Sequence, residues 1–130
     1  MASFRTPLSR ARGLGSAKRG AEHWIGERIT SIALVPLIVW AVYSGLVLAA
    51  ADYAGAVAWL QHPLNAVLTV LLIAVGFWHM HAGLRVVIED YVPQTLARSG
   101  ALIANLFVCA LGAGLAVFSV LKVAILGGAY

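Results

Sequence analysis

Charge is what this sequence has least of. Only 11% of its 130 residues are charged, where soluble domains carry about 25%. A water-soluble globular domain is therefore excluded, and the 62% hydrophobic content points to a membrane protein. Cysteine is nearly absent as well. Cys109 is the single one and sits within an apolar run, so no intrachain disulfide can form. An iron–sulfur cluster, which takes about four thiolates, is out of reach of this chain alone. No glycine-rich dinucleotide fingerprint occurs, which excludes a flavin or nicotinamide fold. The basic N-terminal residues have no apolar segment beside them, so a secretory signal peptide is not expected there. Repeats and low-complexity segments are also missing.

What is present is three long apolar runs, each sufficient for the roughly 30 Å hydrocarbon layer, which takes about 20 helical residues. They span about 29–50, 63–88 and 101–126. Pro36 lies inside the first, where neighbouring helices can satisfy the carbonyl it frees. Pro63 opens the second at a first-turn position. Gly112, Ala113 and Gly114 give the third a patch on which another helix can approach closely. Five of the nine basic residues, Arg5, Arg10, Arg12, Lys18 and Arg19, fall in the first nineteen positions. The connection "ADYAGAVAWLQHP" after the first run has none. The positive-inside rule then places the N-terminus on the cytoplasmic or matrix side. The expected fold is an all-α membrane protein with three transmembrane helices. A basic arm over 1–28 lies on the inner side, and one three-helix membrane domain covers 29–130.

Chemistry concentrates in "GFWHMHAGLRVVIEDYVP", Gly76 to Pro93. Gly76, His79 and Gly83 are three and four apart, hence on one helical face. Asp90 falls near that face. His81 lies about 200° round from His79, in a second polar stripe with Arg85 and Glu89. The two histidines therefore do not form one site. An imidazole flanked by glycines leaves a flat open strip, the shape a planar macrocycle needs, and imidazole is an axial ligand for haem iron. The competing reading is an interhelical hydrogen bond between a membrane histidine and a hydroxyl or backbone partner. His81 is expected to orient a neighbour or to meet a partner subunit.

Depth follows from helical rise. His79 is about 16 Å along the axis from Asp90; with Asp90 at the inner surface, His79 is expected near mid-membrane. Tyr91 then stands at headgroup level, as an aromatic-belt residue or as a donor to a quinone carbonyl. Arg28 in "HWIGERITS" is the last charge before the first run. It serves as the topological boundary, or its planar fork binds a carboxylate such as a haem propionate.

At these residues the chain resembles the smaller hydrophobic membrane anchor of succinate dehydrogenase, respiratory complex II. The resemblance covers most of the chain. Its specific part is a histidine, ten residues, then Asp-Tyr, with a glycine four after the histidine: His79, Gly83, Asp90 and Tyr91. It implies that His79 is an axial ligand of a b-type haem, that Gly83 packs beside it, and that Tyr91 hydrogen-bonds ubiquinone with Asp90 in the surroundings. Arg28 matches an arginine near the haem propionates, and His23 is a looser match to a histidine there.

The implied function is a noncatalytic anchor of succinate:ubiquinone oxidoreductase in the bacterial inner membrane, or its mitochondrial equivalent. FAD and iron–sulfur clusters would reside only in a flavoprotein and an iron–sulfur partner subunit. Spans one and three carry no histidine, so a second axial imidazole would come from a second membrane anchor, the cytochrome b subunit. The alternatives are a fumarate reductase anchor and a small multi-pass scaffold or transport protein. Against the last, the polar residues form no continuous path through the three runs.

Overall fold

The computed structural model describes residues 6–13 and 20–127. Arg5, Lys18 and Arg19 of the basic arm lie outside the described residues, and so does the side chain of His23. Five helices follow one another: α1 (Pro7–Arg12), α2 (Gly20–Ala49), α3 (Tyr53–Gln61), α4 (Pro63–Tyr91) and α5 (Thr95–Leu126). Among the described residues there is no strand. Three helices are long and apolar enough to cross a membrane: Trp24–Ala49 within α2, all of α4 and all of α5. The expected all-α, three-span architecture is present.

The helices run past the apolar runs that predicted them. α2 continues unbroken through positions 28 and 29 and takes in Glu22, Glu27 and Arg28. Backbone hydrogen bonding needs no apolar side chains; only the membrane-crossing part does. α2 also carries Pro36 without interruption. α4 begins with Pro63 in its first turn, where the missing N–H has no intrahelical partner to lose. α5 stops at Gly127, which takes a left-handed φ of 64° and donates its N–H to the Val123 carbonyl. A Cβ there would also meet the Gln61 side chain at 2.9 Å, so both backbone and space select glycine.

The connection after α2 is not an extended loop. Asp52 caps α3 by accepting from the Gly55 N–H at 2.8 Å, and "AVAWL" supplies a short apolar helix without an internal breaker. Trp59 of α3 stacks on Trp40 of α2 at 5.8 Å between ring centroids. α3 is thereby held against the bundle rather than left in solvent.

α4 is the central helix, with α2 packed on one side and α5 on the other, and α3 touching α4 and α5. The α4–α5 seam is close. A Cβ on Gly112 would sit 2.6 Å from Cε1 of Phe77, so the small residue expected to permit close approach does so here, against α4. Gly114 meets nothing within 4 Å and does not serve that purpose within this chain. Among the described residues only Ser44, Asn105 and Cys109 are buried. Leu46, Leu115 and Phe118 are typical of the rest, exposed on the outer helical faces. Lipid is as apolar as leucine, so burying such faces against one another is not what joins membrane helices; small-residue packing and polar contacts are.

Candidate functional site

The two histidines of α4 face different helices. His79 turns toward α2, where its Nδ1 lies 2.9 Å from the Thr30 hydroxyl. That hydroxyl also lies 3.1 Å from the Gly26 carbonyl and 3.0 Å from the Glu27 carbonyl on its own helix. Nε2 of His79 has no hydrogen-bond partner among the described residues. The glycines beside it are open: nothing lies within 4 Å of a Cβ built on Gly76 or on Gly83. Gly76 also lines an apolar hollow of about 370 Å³ between α2 and α4, with Leu34, Ile38, Leu72 and Ile73. The interhelical hydrogen bond of His79 and the open glycines on its helical face are thus both present.

His81 turns toward α5. The amide nitrogen of Asn105 donates to its Nδ1 at 3.1 Å and to the His81 carbonyl at 3.0 Å. A carbonyl can only accept, so it fixes which end of the Asn105 amide faces α4. Nδ1 of His81 must then accept, and its ring proton resides on Nε2. The other end of the amide, Oδ1, accepts from the Cys109 thiol at 3.3 Å. Asn105 and Cys109 are two of the three buried residues. Trp78 stands over this neighbourhood, its ring 6.5 Å from that of His81. A cavity of about 230 Å³ toward α2 is lined by His81, Trp78, Glu22, Glu27 and Arg85. Within this chain the polar neighbour of His81 is Asn105.

The Thr30–His79 contact also sets the register of two antiparallel helices. Counting from Asp90 puts His79 about 16 Å along α4, whereas counting from Arg28 puts its partner Thr30 only about 3 Å along α2. Asp90 and Arg28 therefore do not stand on one level. Asp90 and Tyr91 are at the end of α4, both exposed, Tyr91 at 79%. Arg85 and Glu89, in the preceding turns, form an exposed ion pair at 2.8 Å.

Arg28 is exposed and lies over the Trp24 ring at 5.1 Å. It is two residues from Thr30, about 200° round α2, so the chain does not bring it to His79 on the α4 side. His62 precedes α4 at the outer end and is exposed. The contacts therefore unite His79 with Thr30 and His81 with Asn105 and Cys109. They leave Arg28, Asp90 and Tyr91 apart. Thr30 and Asn105 were missed by sequence reasoning. A lone amide inside the apolar "ALIANLFVCALG" was the available signal for Asn105. For Thr30 there was none, since its partner depends on interhelical register.

The family model for the succinate dehydrogenase/fumarate reductase transmembrane subunit matches residues 2–121. A succinate dehydrogenase hydrophobic membrane anchor subunit of Rickettsia bellii is 34% identical over 101 residues, 78% of this chain and 81% of the relative. The subunit of the same name from Rickettsia conorii is 34% identical, covering 74% of this chain and 77% of the relative. That of Paracoccus denitrificans is 33% identical, covering 66% and 67% respectively. No solved structure matches the chain.

Proposed function

We infer the function of this chain from one premise: it belongs to the succinate dehydrogenase/fumarate reductase transmembrane subunit family. It is a multi-pass membrane protein and a noncatalytic membrane anchor, and as an anchor it works in a complex with other subunits. Beyond this, the anchor tethers a flavoprotein and an iron–sulfur subunit to the bacterial inner membrane, with its N-terminal arm on their side. It shares a b-type haem with a second anchor and contributes to the ubiquinone-reduction site.

The observation that carries the haem assignment is the state of His79. One ring nitrogen is held by Thr30, and the other is without a partner among the described residues, beside open glycines. Metal-binding histidines are commonly fixed through their second nitrogen in this way. His79 would hold the iron from one side, and Gly76 and Gly83 would leave room for the macrocycle. Arg28, exposed and over the Trp24 ring at 5.1 Å, would serve a propionate through its planar fork. A bound b-type haem supplies a one-electron store beside the quinone. Tyr91 would donate its phenol proton in a hydrogen bond to a quinone carbonyl, with Asp90 next to it. Both are at the C-terminal end of α4, which would lie at the headgroups on the side from which the soluble subunits deliver electrons.

His81 is unsuited to the ligand role. Its Nδ1 lone pair is occupied by Asn105 and its Nε2 carries the proton. The test is the optical and EPR spectrum of the purified complex. His79→Ala should abolish the low-spin bis-imidazole signal and His81→Ala should retain it. A signal that survives His79→Ala would remove this residue from the iron.

A further inference from the structure

We propose that Thr30 is a positioning residue for the haem iron: its hydroxyl keeps the ring proton of His79 on Nδ1 and so presents a bare Nε2 to the metal. The proposal rests on the assignment of His79 as the axial ligand and says how that ligand is prepared.

The argument is one of proton counting. The Thr30 hydroxyl has one proton and three neighbours within hydrogen-bond reach: the carbonyls of Gly26 and Glu27 and Nδ1 of His79. Carbonyl oxygens can only accept. With two carbonyls of its own helix at 3.1 and 3.0 Å, the hydroxyl proton is assigned back along α2. Only lone pairs of Oγ1 remain for α4, and His79 must meet them as a donor, through Nδ1–H. A neutral imidazole has a single N–H, so Nε2 then carries a lone pair, as an iron ligand requires. In the opposite tautomer Nε2 would point an N–H at the metal. Oγ1 would then have to withdraw its proton from both carbonyls.

Threonine suits this task better than a freely rotating hydroxyl. Its branched Cβ is stiff in a helix, and the backward bond to the previous turn selects the rotamer. The acceptor is thus fixed before any metal arrives. A hydrogen bond donated by the far nitrogen also raises the basicity of a ligating imidazole. A more basic ligand favours the ferric ion and lowers the haem potential. His81 shows that the helix context does not itself impose this tautomer. Two residues away, Asn105 donates where Thr30 accepts, and the proton sits on the other nitrogen.

The test uses the complete complex with Thr30→Val, which keeps shape and branching but offers no acceptor, and Thr30→Ser, which keeps the hydroxyl. Haem content, the haem midpoint potential and the low-spin EPR g values are read for each, beside His79→Ala. The valine variant should shift the potential upward and move the g values, and the serine variant should return both to the wild-type values. Haem lost from the valine variant but retained at the wild-type potential in the serine variant also supports the proposal. If valine leaves potential and g values unchanged, or serine is displaced as far as valine, the proposal is overturned. Haem lost from both overturns it too. A low-spin signal that persists in His79→Ala would overturn the ligand assignment and this proposal together. A signal lost in His79→Ala but untouched in every respect by Thr30→Val would overturn the proposal alone.

Discussion

His79 and His81 stand two residues apart on α4, and each makes one interhelical side-chain contact, yet the contacts have opposite polarity. Toward α2, the Thr30 hydroxyl holds His79, on a helical face it shares with the open Gly76 and Gly83. Toward α5, a donor amide holds His81 in the closest packing of the molecule, where Asn105 and Cys109 are buried and Gly112 admits Phe77. A helical step of about 200° separates the two environments. Both sides keep a hollow, about 370 Å³ beside Gly76 and about 230 Å³ beside His81, so what distinguishes them is the partner of each imidazole. Two histidines in one membrane helix thus meet different partners, Thr30 on α2 and Asn105 on α5.

The comparison can be broken first at Asn105. Asn105→Leu removes the donor to both His81 Nδ1 and the His81 carbonyl, and interhelical polar contacts in membranes are worth about 0.6–2 kcal/mol. The complex should lose thermal stability by about 1–2 kcal/mol while its low-spin haem signal stays in place. A haem signal that disappears with stability unchanged would mean the α5 side is the cofactor side after all.

Glycine substitutions sharpen the contrast. Gly112→Ala places a methyl against Phe77 and forces its ring to move, which should destabilise the complex by about 1 kcal/mol, visible as a lowered melting temperature. Gly83→Ala meets nothing within this chain, and on helix propensity alone it should be neutral or slightly stabilising, by about 0.5–1 kcal/mol. If a macrocycle covers that strip, Gly83→Ala should instead reduce haem content. The pair therefore separates loss of packing from loss of cofactor, by calorimetry and by pyridine haemochrome titration. The smallest effect belongs to Cys109. Its thiol is a weak donor to Asn105, and Cys109→Ser keeps a donor in place. The melting transition should move by less than about 1 kcal/mol equivalent, and the haem spectrum should not move.

The three spans, and the opposition of the two histidines, were legible because each depends on local quantities: the length of an apolar run and the angle per residue. Gly76, His79 and Gly83 share a face whatever the rest of the chain does. The relative level of Asp90 and Arg28 was not legible, because the two charged residues lie on different helices. Only the Thr30 contact shows that they differ by about 13 Å. The helix at Tyr53–Gln61 was hidden for a different reason. Nine residues are too few to show a period, and what holds them is a tryptophan stack to α2. The extra turns of α2 and α4 beyond the apolar runs were missed because apolarity marks which turns suit lipid, not where a helix ends. Thr30 and Asn105 are ordinary polar residues until register brings each to its imidazole.

That register has an electrical consequence. Most of the transmembrane voltage drops across the hydrocarbon layer, and a full crossing by one elementary charge is worth about 2.3 kcal/mol per 100 mV. Thr30 is about 3 Å along α2 from Arg28, so, were Arg28 to mark the membrane edge, an iron held by His79 would lie about one tenth of the way into a roughly 30 Å layer. An electron reaching it from that side would cross about 0.2 kcal/mol of the field per 100 mV. The voltage sensitivity of such a haem would thus be set by where a threonine on one helix meets a histidine on the next.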